Sequence, residues 1–261
     1  MHLTPVTDLQ IDALNIYHQL RDKAFREDGS FVADSPKVVN LILEQDIEVK
    51  SILATPEYYE QYQTLLSSKE IPTLYVADKK VMEQLVGHKV HHNCMMHGIR
   101  PKETPLEMLG TQIIMLDEIS STENIGAIAR SAAAMGITSY LLPKQGPHPF
   151  NRRALRVSMG LSSKLFIHQY NDIFETLKYL KEKGYHIFGA EITENATPLS
   201  QVTVPSKWVL LMGHEGKGLS DKVLKACDEA LQIEMEPDIK SFNVAVAASI
   251  MMYQLKQRST D

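Results

Sequence analysis

Apolar and polar positions change their period several times along the chain, and each change marks an element. "LQIDALNIYHQLRDKAF" carries Ile11, Leu14 and His18 at helical spacing, with Ile16, Leu20 and Ala24 beside them. That spacing predicts an amphipathic helix. "SPKVVNLILEQ" predicts another, with Ser35 as N-cap and Pro36 at the first helical position, where a missing N–H is harmless. "VKSILAT" and "IPTLYVA" read as strands, and "KKVMEQLVG" as a short helix stopped by Gly87. "VHHNCMM" has the look of a further strand. Residues 1–100 are therefore expected to form a small α/β domain.

"PKETPLEMLG", residues 101–110, holds two prolines and a closing glycine and is the expected linker. Beyond it the alternation is cleaner. "TQIIML" is a buried-type strand, followed by a helix from about Asn124 to Met135 that Gly136 stops. "ITSYLL" and "KLFIHQ" are strands. "NDIFETLKYLKEKG" is a helix with Asn171 as expected cap and Gly184 as stop. "YHIFGAEI", "KWVLLMG" and "LQIEM" are further strands, and a last helix follows Ser241. Strands alternating with helices imply a mostly parallel sheet covered on both faces. Ligands on such sheets sit beyond the carboxyl ends of the strands.

Composition narrows the class without naming a function. The chain has 261 residues, 44% apolar and 23% charged, as in ordinary globular proteins. No apolar run approaches the roughly 20 residues needed to cross a bilayer. "MHLTPVTDLQ" lacks the basic-then-apolar order of a secretory signal. Two cysteines, Cys94 and Cys227, make no disulfide framework, so a cytoplasmic, reducing location is expected. A net charge of −5 argues against a protein that coats nucleic acid non-specifically, but permits a local basic patch.

Candidate chemistry gathers where side chains break local rules. "LLMGHEGKGLS" has the glycine spacing of a phosphate loop at Gly213 and Gly218, but Leu219 stands where the phosphate lysine belongs. Glu215 in that turn would repel a polyanion and suits a cationic or neutral ligand, or an arginine partner. Arg130 sits in the small, apolar helix "NIGAIARSAAAMG". Its guanidinium needs water, a carboxylate or a phosphate. A salt bridge to Asp117 or Glu118 and a functional role are both open. The last helix, "SFNVAVAASIMMYQL", is apolar nearly all round, which implies burial on every side and a second subunit covering it. Ser241 and Asn243 are expected to share its N-cap. "NRRALRVSMG" brings Arg152, Arg153 and Arg156 together, either as a solvated helix face or as phosphate contacts. "HKVHHNCMMH" matches no closed Cys/His zinc spacing, and histidines facing RNA from a surface strand fit it better than a metal site.

Three blocks, "STENIGAIARSAAAMGITSYLL", "LLMGHEGKGLS" and "IEMEPDIKSFNVAVAAS", occur in this order. Together they resemble the SpoU/TrmH family of S-adenosylmethionine-dependent RNA ribose 2′-O-methyltransferases. The resemblance covers about residues 111–257 and implies a trefoil-knotted α/β methyltransferase domain over 111–261. The upstream cues "FVADSPKVVNLIL", "VKSILATPEYY" and "IPTLYVADKKVMEQL" are similar to the family's L30e-like RNA substrate-binding domain. By this likeness Leu211, Met212, Gly213, Glu215, Gly218, Ile233, Met235, Phe242 and Asn243 would hold the cofactor, the glycines letting backbone approach adenine and ribose. Asn124, Arg130, Glu215, Ser241 and Asn243 would form the catalytic set, with Arg152, Arg153 and Arg156 on the RNA. The substrate would be ribosomal or transfer RNA, and the assembly a homodimer with sites at the subunit interface.

The implied reaction is an in-line attack of a ribose 2′-oxygen on a sulfonium methyl group. Arg130 matches the family's catalytic position. Two roles stay open for it: anchoring the adjacent phosphate while stabilising oxyanion character, or losing its proton transiently with help from that phosphate. The third block departs from the family pattern, with Glu234 for proline, Pro237 for glycine and Phe242 for leucine. That departure keeps a rival in view, a non-catalytic RNA-binding protein of the same fold. An ordinary NAD-binding Rossmann enzyme would need a G-x-G-x-x-G after its first strand, where "LDEISSTENIGAIAR" stands.

Overall fold

The computed structural model describes residues 2–18, 28–236, 238–239 and 241–258. Leu20 and Ala24 of the first expected helix, and Pro237 of the third block, lie outside the described residues. The chain divides into two compact units, Met1–Lys102 with Phe150–Ser163, and Glu103–Pro149 with Lys164–Asp261.

The first unit is built on β1 (Thr4–Pro5), α1 (Asn15–His18), β2 (Ser30–Asp34), α2 (Pro36–Leu43), β3 (Val49–Ala54), α3 (Pro56–Gln61), α4 (Gln63–Ser67), β4 (Thr73–Val76), α5 (Lys79–Val86) and β5 (Cys94–Ile99). Its strands order as β1-β4-β3-β5-β2, with β5 antiparallel to both neighbours and the other pairs parallel. Ser35 caps α2 as its sequence position implies, accepting from Val38 N–H at 3.4 Å. Gly87 stops α5 at φ +73°, a left-handed position that glycine takes without a Cβ penalty. The buried tyrosines keep their hydroxyls satisfied: Tyr59 donates to the Tyr75 carbonyl at 2.8 Å, and Tyr17 pairs with Ser51 Oγ at 2.8 Å. The strand expected over "VHHNCMM" begins only at Cys94, so His91 and His92 precede it.

The second unit holds β6 (Gln112–Leu116), α6 (Thr122–Ala134) and β7 (Ser139–Pro143). The chain then leaves for α7 (Arg152–Val157), which belongs to the first unit. It returns with β8 (Phe166–Tyr170), α8 (Ile173–Glu182), β9 (His186–Ala190), β10 (Thr197–Pro198), β11 (Trp208–Met212), α9 (Asp221–Ala226), β12 (Glu229–Gln232) and α10 (Val244–Arg258). The seven strands order as β10-β12-β9-β11-β6-β7-β8, and every pairing is parallel. The central strand β11 is buried at all five positions, which is why "WVLLM" shows no polar alternation.

Several expectations are corrected in detail. The cap of α8 is Asp172, whose Oδ1 accepts from Glu175 N–H at 2.9 Å, not Asn171. β12 ends at Gln232, so Ile233 to Met235 form a loop instead of completing a strand. The expected division assigned residues 150–163 downstream, whereas their contacts lie with the first unit. The cause is side-chain chemistry remote in sequence. Asp34, at the end of β2, accepts from Arg152 Nε at 2.8 Å and stands 3.5 Å from Arg156 Nε. Phe31 and Phe150 meet edge to face at 5.1 Å.

Candidate functional site

Register brings three strand ends level in the second unit. Met212 pairs with Leu116 on one side and Ala190 on the other. The loops that follow β6, β9 and β11 therefore emerge together at the carboxyl edge of the sheet, and the loop after β12 joins them through the Leu231–Ala190 pairing. Loops at that edge have exposed backbone donors and acceptors that no strand satisfies, which suits ligand binding.

The loop after β11 folds back on itself. Gly218 N–H donates to the His214 carbonyl at 2.8 Å, and Gly216 N–H to His214 Nδ1 at 2.9 Å. A Cβ on Gly213 would lie 2.5 Å from Gly218 C and Leu219 N, so only glycine allows this closure. The glycine spacing thus has a first cause inside the loop, before any ligand arrives.

Glu215 fixes this loop to the start of α6. One carboxylate oxygen accepts from Ser121 N–H at 2.9 Å and Asn124 Nδ2 at 3.0 Å; the other accepts from Ser120 N–H at 3.2 Å and Ser120 Oγ at 3.3 Å. Burial alone would raise its pKa, but these donors favour the anion and bring it down to about 2. The carboxylate also meets the positive end of the α6 dipole. Of the alternatives open to Glu215, an arginine partner is absent among the described residues; serine and asparagine donors hold the charge.

Asn124 extends the linkage. Its Oδ1 accepts from Asn243 Nδ2 at 3.1 Å, while Asn243 Oδ1 caps α10 by accepting from Ala245 N–H at 2.9 Å and Val246 N–H at 3.3 Å. One hydrogen-bond chain, Glu215–Asn124–Asn243, thus joins all three sequence blocks. The cap of α10 falls to Asn243; Ser241 makes no hydrogen bond among the described residues and faces a cleft instead.

That cleft has a volume of about 880 Å³ and is bounded by the loops after β9, β11 and β12 and the first turns of α10. Met212, Ile233, Met235 and Phe242 give it apolar wall, while Gly213, Glu215 and Gly218 line the β11 side. Ile192, Ile239 and Phe242 also line it and are 50%, 53% and 41% exposed, leaving an apolar rim open to solvent. Leu211 does not reach the cleft, because its side chain lies in the core beneath the sheet edge. Asn243 does not line the cleft either and acts through Asn124 and the helix cap.

Arg130 is exposed on α6 and has no hydrogen bond or ion pair among the described residues. The alternative of a bridge to Asp117 or Glu118 is thereby set aside: Asp117 accepts from the Tyr170 hydroxyl, at 3.5 Å. Arg130 stands six positions beyond Asn124, about 9 Å along the helix axis. It does not line the cleft. In the first unit, Arg152 and Arg156 face Asp34, whose side chain is 4% exposed, and Arg153 N–H joins the Asn151 cap of α7.

Two anchors escaped the sequence reading. Glu191, just past β9, accepts from Leu219 N–H at 2.7 Å and so clips the β9 loop to the β11 loop. Glu234 accepts from Ser200 N–H at 3.2 Å, tying down the β12 loop where the family pattern has proline. Only the rule that sites gather beyond strand ends could have pointed to Glu191, which follows "YHIFGA".

α10 packs on α6, with the Ser249 and Ser131 hydroxyls hydrogen-bonded at 2.8 Å. It buries Ala245, Ala248, Met251, Met252 and Leu255 within the chain. Burial on every side, expected from its composition, is not reached here: Val246, Ile250 and Tyr253 are 46%, 36% and 59% exposed along one stripe. Among the described residues no helix is long and apolar enough to cross a membrane.

Comparison with known proteins adds independent observations. The family model described as "SpoU rRNA Methylase family" matches residues 111–253, more than half of the chain. A Staphylococcus haemolyticus protein, by name of the TrmH family of tRNA/rRNA methyltransferases, is 30% identical over 146 residues, 56% of this chain and 58% of its own length. A similarly named protein of Staphylococcus aureus (strain COL) is 28% identical over 149 residues, 57% of this chain and 60% of its own. The match thus spans under two thirds of the length of these curated relatives. Among solved structures, an AdoMet-bound rRNA methyltransferase from Sinorhizobium meliloti superposes with TM-score 0.84 at 21% identity, over 98% of both chains. The SpoU methyltransferase AviRb from Streptomyces viridochromogenes, in complex with AdoMet, gives 0.80 at 17% identity, over 95% of this chain and 98% of its own. At these identities the structural likeness carries the fold.

Proposed function

Because the chain belongs to the SpoU rRNA methylase family, we propose that it methylates a ribose 2′-hydroxyl in structured RNA, using S-adenosylmethionine. The observation that carries this reading is the Glu215–Asn124–Asn243 chain, which ties the two blocks that line the cleft to the start of α6 in the first block. The cleft fits the cofactor in size, since small-molecule sites run to about 300–1,000 Å³. Its chemistry fits as well. Met212, Ile233, Met235 and Phe242 suit an adenine ring, the Ser241 hydroxyl has no partner among the described residues, and the carboxylate lining disfavours a polyphosphate.

When bound, the cofactor supplies a methyl group already activated on a sulfonium sulfur. The protein's part is to bind, orient and stabilise charge. Glu215 is poorly suited as a general base, because a carboxylate whose pKa is lowered to about 2 accepts a proton weakly, and both oxygens already accept hydrogen bonds. Arg130 is exposed and has no partner among the described residues, and a guanidinium stays protonated in proteins. It therefore serves as an anion anchor, holding an RNA phosphate and the oxygen that develops negative charge. Since it does not line its own cleft, this reading has it serve the cleft of a second copy. The exposed stripe of Val246, Ile250 and Tyr253 on α10 supports such a homodimer. The same reading includes a knotted path through the β9, β11 and β12 loops, an L30e-like role for the first unit in holding ribosomal or transfer RNA, and a cytoplasmic location. The exposed Arg156 is a contact for that RNA.

The test pairs binding with transfer. Purified protein should bind S-adenosylmethionine by calorimetry, and Arg130→Ala should keep that binding and its melting temperature while methyl transfer to RNA falls by about 10²- to 10³-fold. Mixing Arg130→Ala with a cleft variant such as Gly213→Val should restore part of the activity in heterodimers. Absence of cofactor binding by the wild type would leave the non-catalytic RNA-binding reading.

A further inference from the structure

We propose that Glu191 is a specificity-determining residue that lets the cleft favour a cationic methyl donor over its neutral demethylated product; this rests on the methyltransferase reading above. Glu191 lines the cleft at the carboxyl end of β9. Its carboxylate is oriented by two backbone donors, Leu219 N–H at 2.7 Å and Ile192 N–H at 3.2 Å. The β11 loop is shaped around it: Gly218 has φ +65°, and a Cβ there would collide with the Glu191 carboxylate. The charge is therefore held in place by the fold and does not swing on a free side chain.

The other carboxylates of the lining differ from it. Glu215 is occupied by Ser120, Ser121 and Asn124, and Glu234 is directed to Ser200. Glu236 also lines the cleft, and Lys217 is the only lysine or arginine in its described lining. Glu191 has no cation partner among the described residues, and a carboxylate can accept about four hydrogen bonds, so acceptor capacity remains for a ligand. The methyl donor carries a positive sulfur that its product lacks, and the two are otherwise nearly the same shape. Packing cannot separate them strongly, whereas a fixed negative charge in a partly desolvated wall can. The clip and the charge are separable in principle, because a glutamine keeps a carbonyl oxygen for Leu219 N–H.

The test measures dissociation constants of the full chain for S-adenosylmethionine and S-adenosylhomocysteine by calorimetry, at low and high salt. Glu191→Gln should weaken the charged donor by about ten- to twentyfold, an effect of the size Coulomb's law gives for charges some 10 Å apart at an effective dielectric of about 20. Binding of the neutral product should change less than about twofold, and the difference should shrink with salt as screening grows. Glu191→Ala, which also removes the clip, should weaken both ligands. Equal weakening of both ligands by Glu191→Gln, or no change in either, overturns the proposal. A wild-type protein that binds neither ligand overturns the parent reading and this one together, whereas tight, charge-blind binding by the wild type overturns this one alone.

Discussion

Replacing Glu215 by glutamine tests whether the carboxylate holds the site together as an anion. In the folded chain its pKa falls from the ordinary 4.5 to about 2. At ~1.36 kcal/mol per pKa unit the difference corresponds to about 3.4 kcal/mol. The group is only half-buried, so solvent screening reduces this by about half, to roughly 1.5 kcal/mol. The sign follows from the direction of the shift. A carboxylate with a depressed folded pKa contributes its stability fully above pH 4.5 and loses it as pH falls toward 2. Glu215→Gln keeps one carbonyl acceptor but turns an amide donor toward serine N–H groups, so the variant should be less stable at pH 7. For a unit of this size, about 1.5 kcal/mol lowers the melting temperature by roughly 3–6 °C. Thermal melts followed by circular dichroism at pH 7, 5, 4 and 3 would read the difference between wild type and variant. The gap should hold between pH 7 and 5 and have closed by more than half at pH 3. A gap that is absent at pH 7, or that stays constant down to pH 3, would refute the claim that the negative charge does the holding.

Two further outcomes follow from single contacts. Gly213→Ala places a methyl group against the backbone of Gly218 and Leu219, so the β11 loop must open; the expected cost is about 1–3 kcal/mol in urea unfolding, with cofactor affinity lowered alongside. Asp34→Asn leaves Arg152 and Arg156 without their carboxylate in the first unit; about 2–4 kcal/mol of stability should be lost, and limited proteolysis should cut faster near α7, whereas Asp78→Asn at an exposed helix start should change little.

How much of this was legible beforehand depends on the range of the interaction concerned. Ser35 and Gly87 ended up as written, because capping and left-handed turns are decided within four or five residues. The buried run "WVLLM" reads as a strand from its unbroken apolar pattern, whereas its central place is set by pairing with β6 and β9. The β12 boundary is not legible in the sequence, because Ile233 and Met235 look like strand residues, yet their apolar side chains serve as cleft wall. Glu215 is legible by type and place, but the donors that hold it are not. Ser120, Ser121 and Asn124 lie more than ninety positions away, and nothing local selects them over an arginine.

The sequence by itself determined most of the alternating elements, caps and stops such as Ser35 and Gly87, and the three blocks and their order, since each depends on period, propensity or neighbours along the chain. Tertiary structure alone decided that residues 150–163 join the first unit, that Glu191 clips two loops, and that Arg130 stands away from its own cleft. Those outcomes depend on parallel register and on which distant donor meets which carboxylate. A one-dimensional pattern carries the chemistry of each group but not the distance between them.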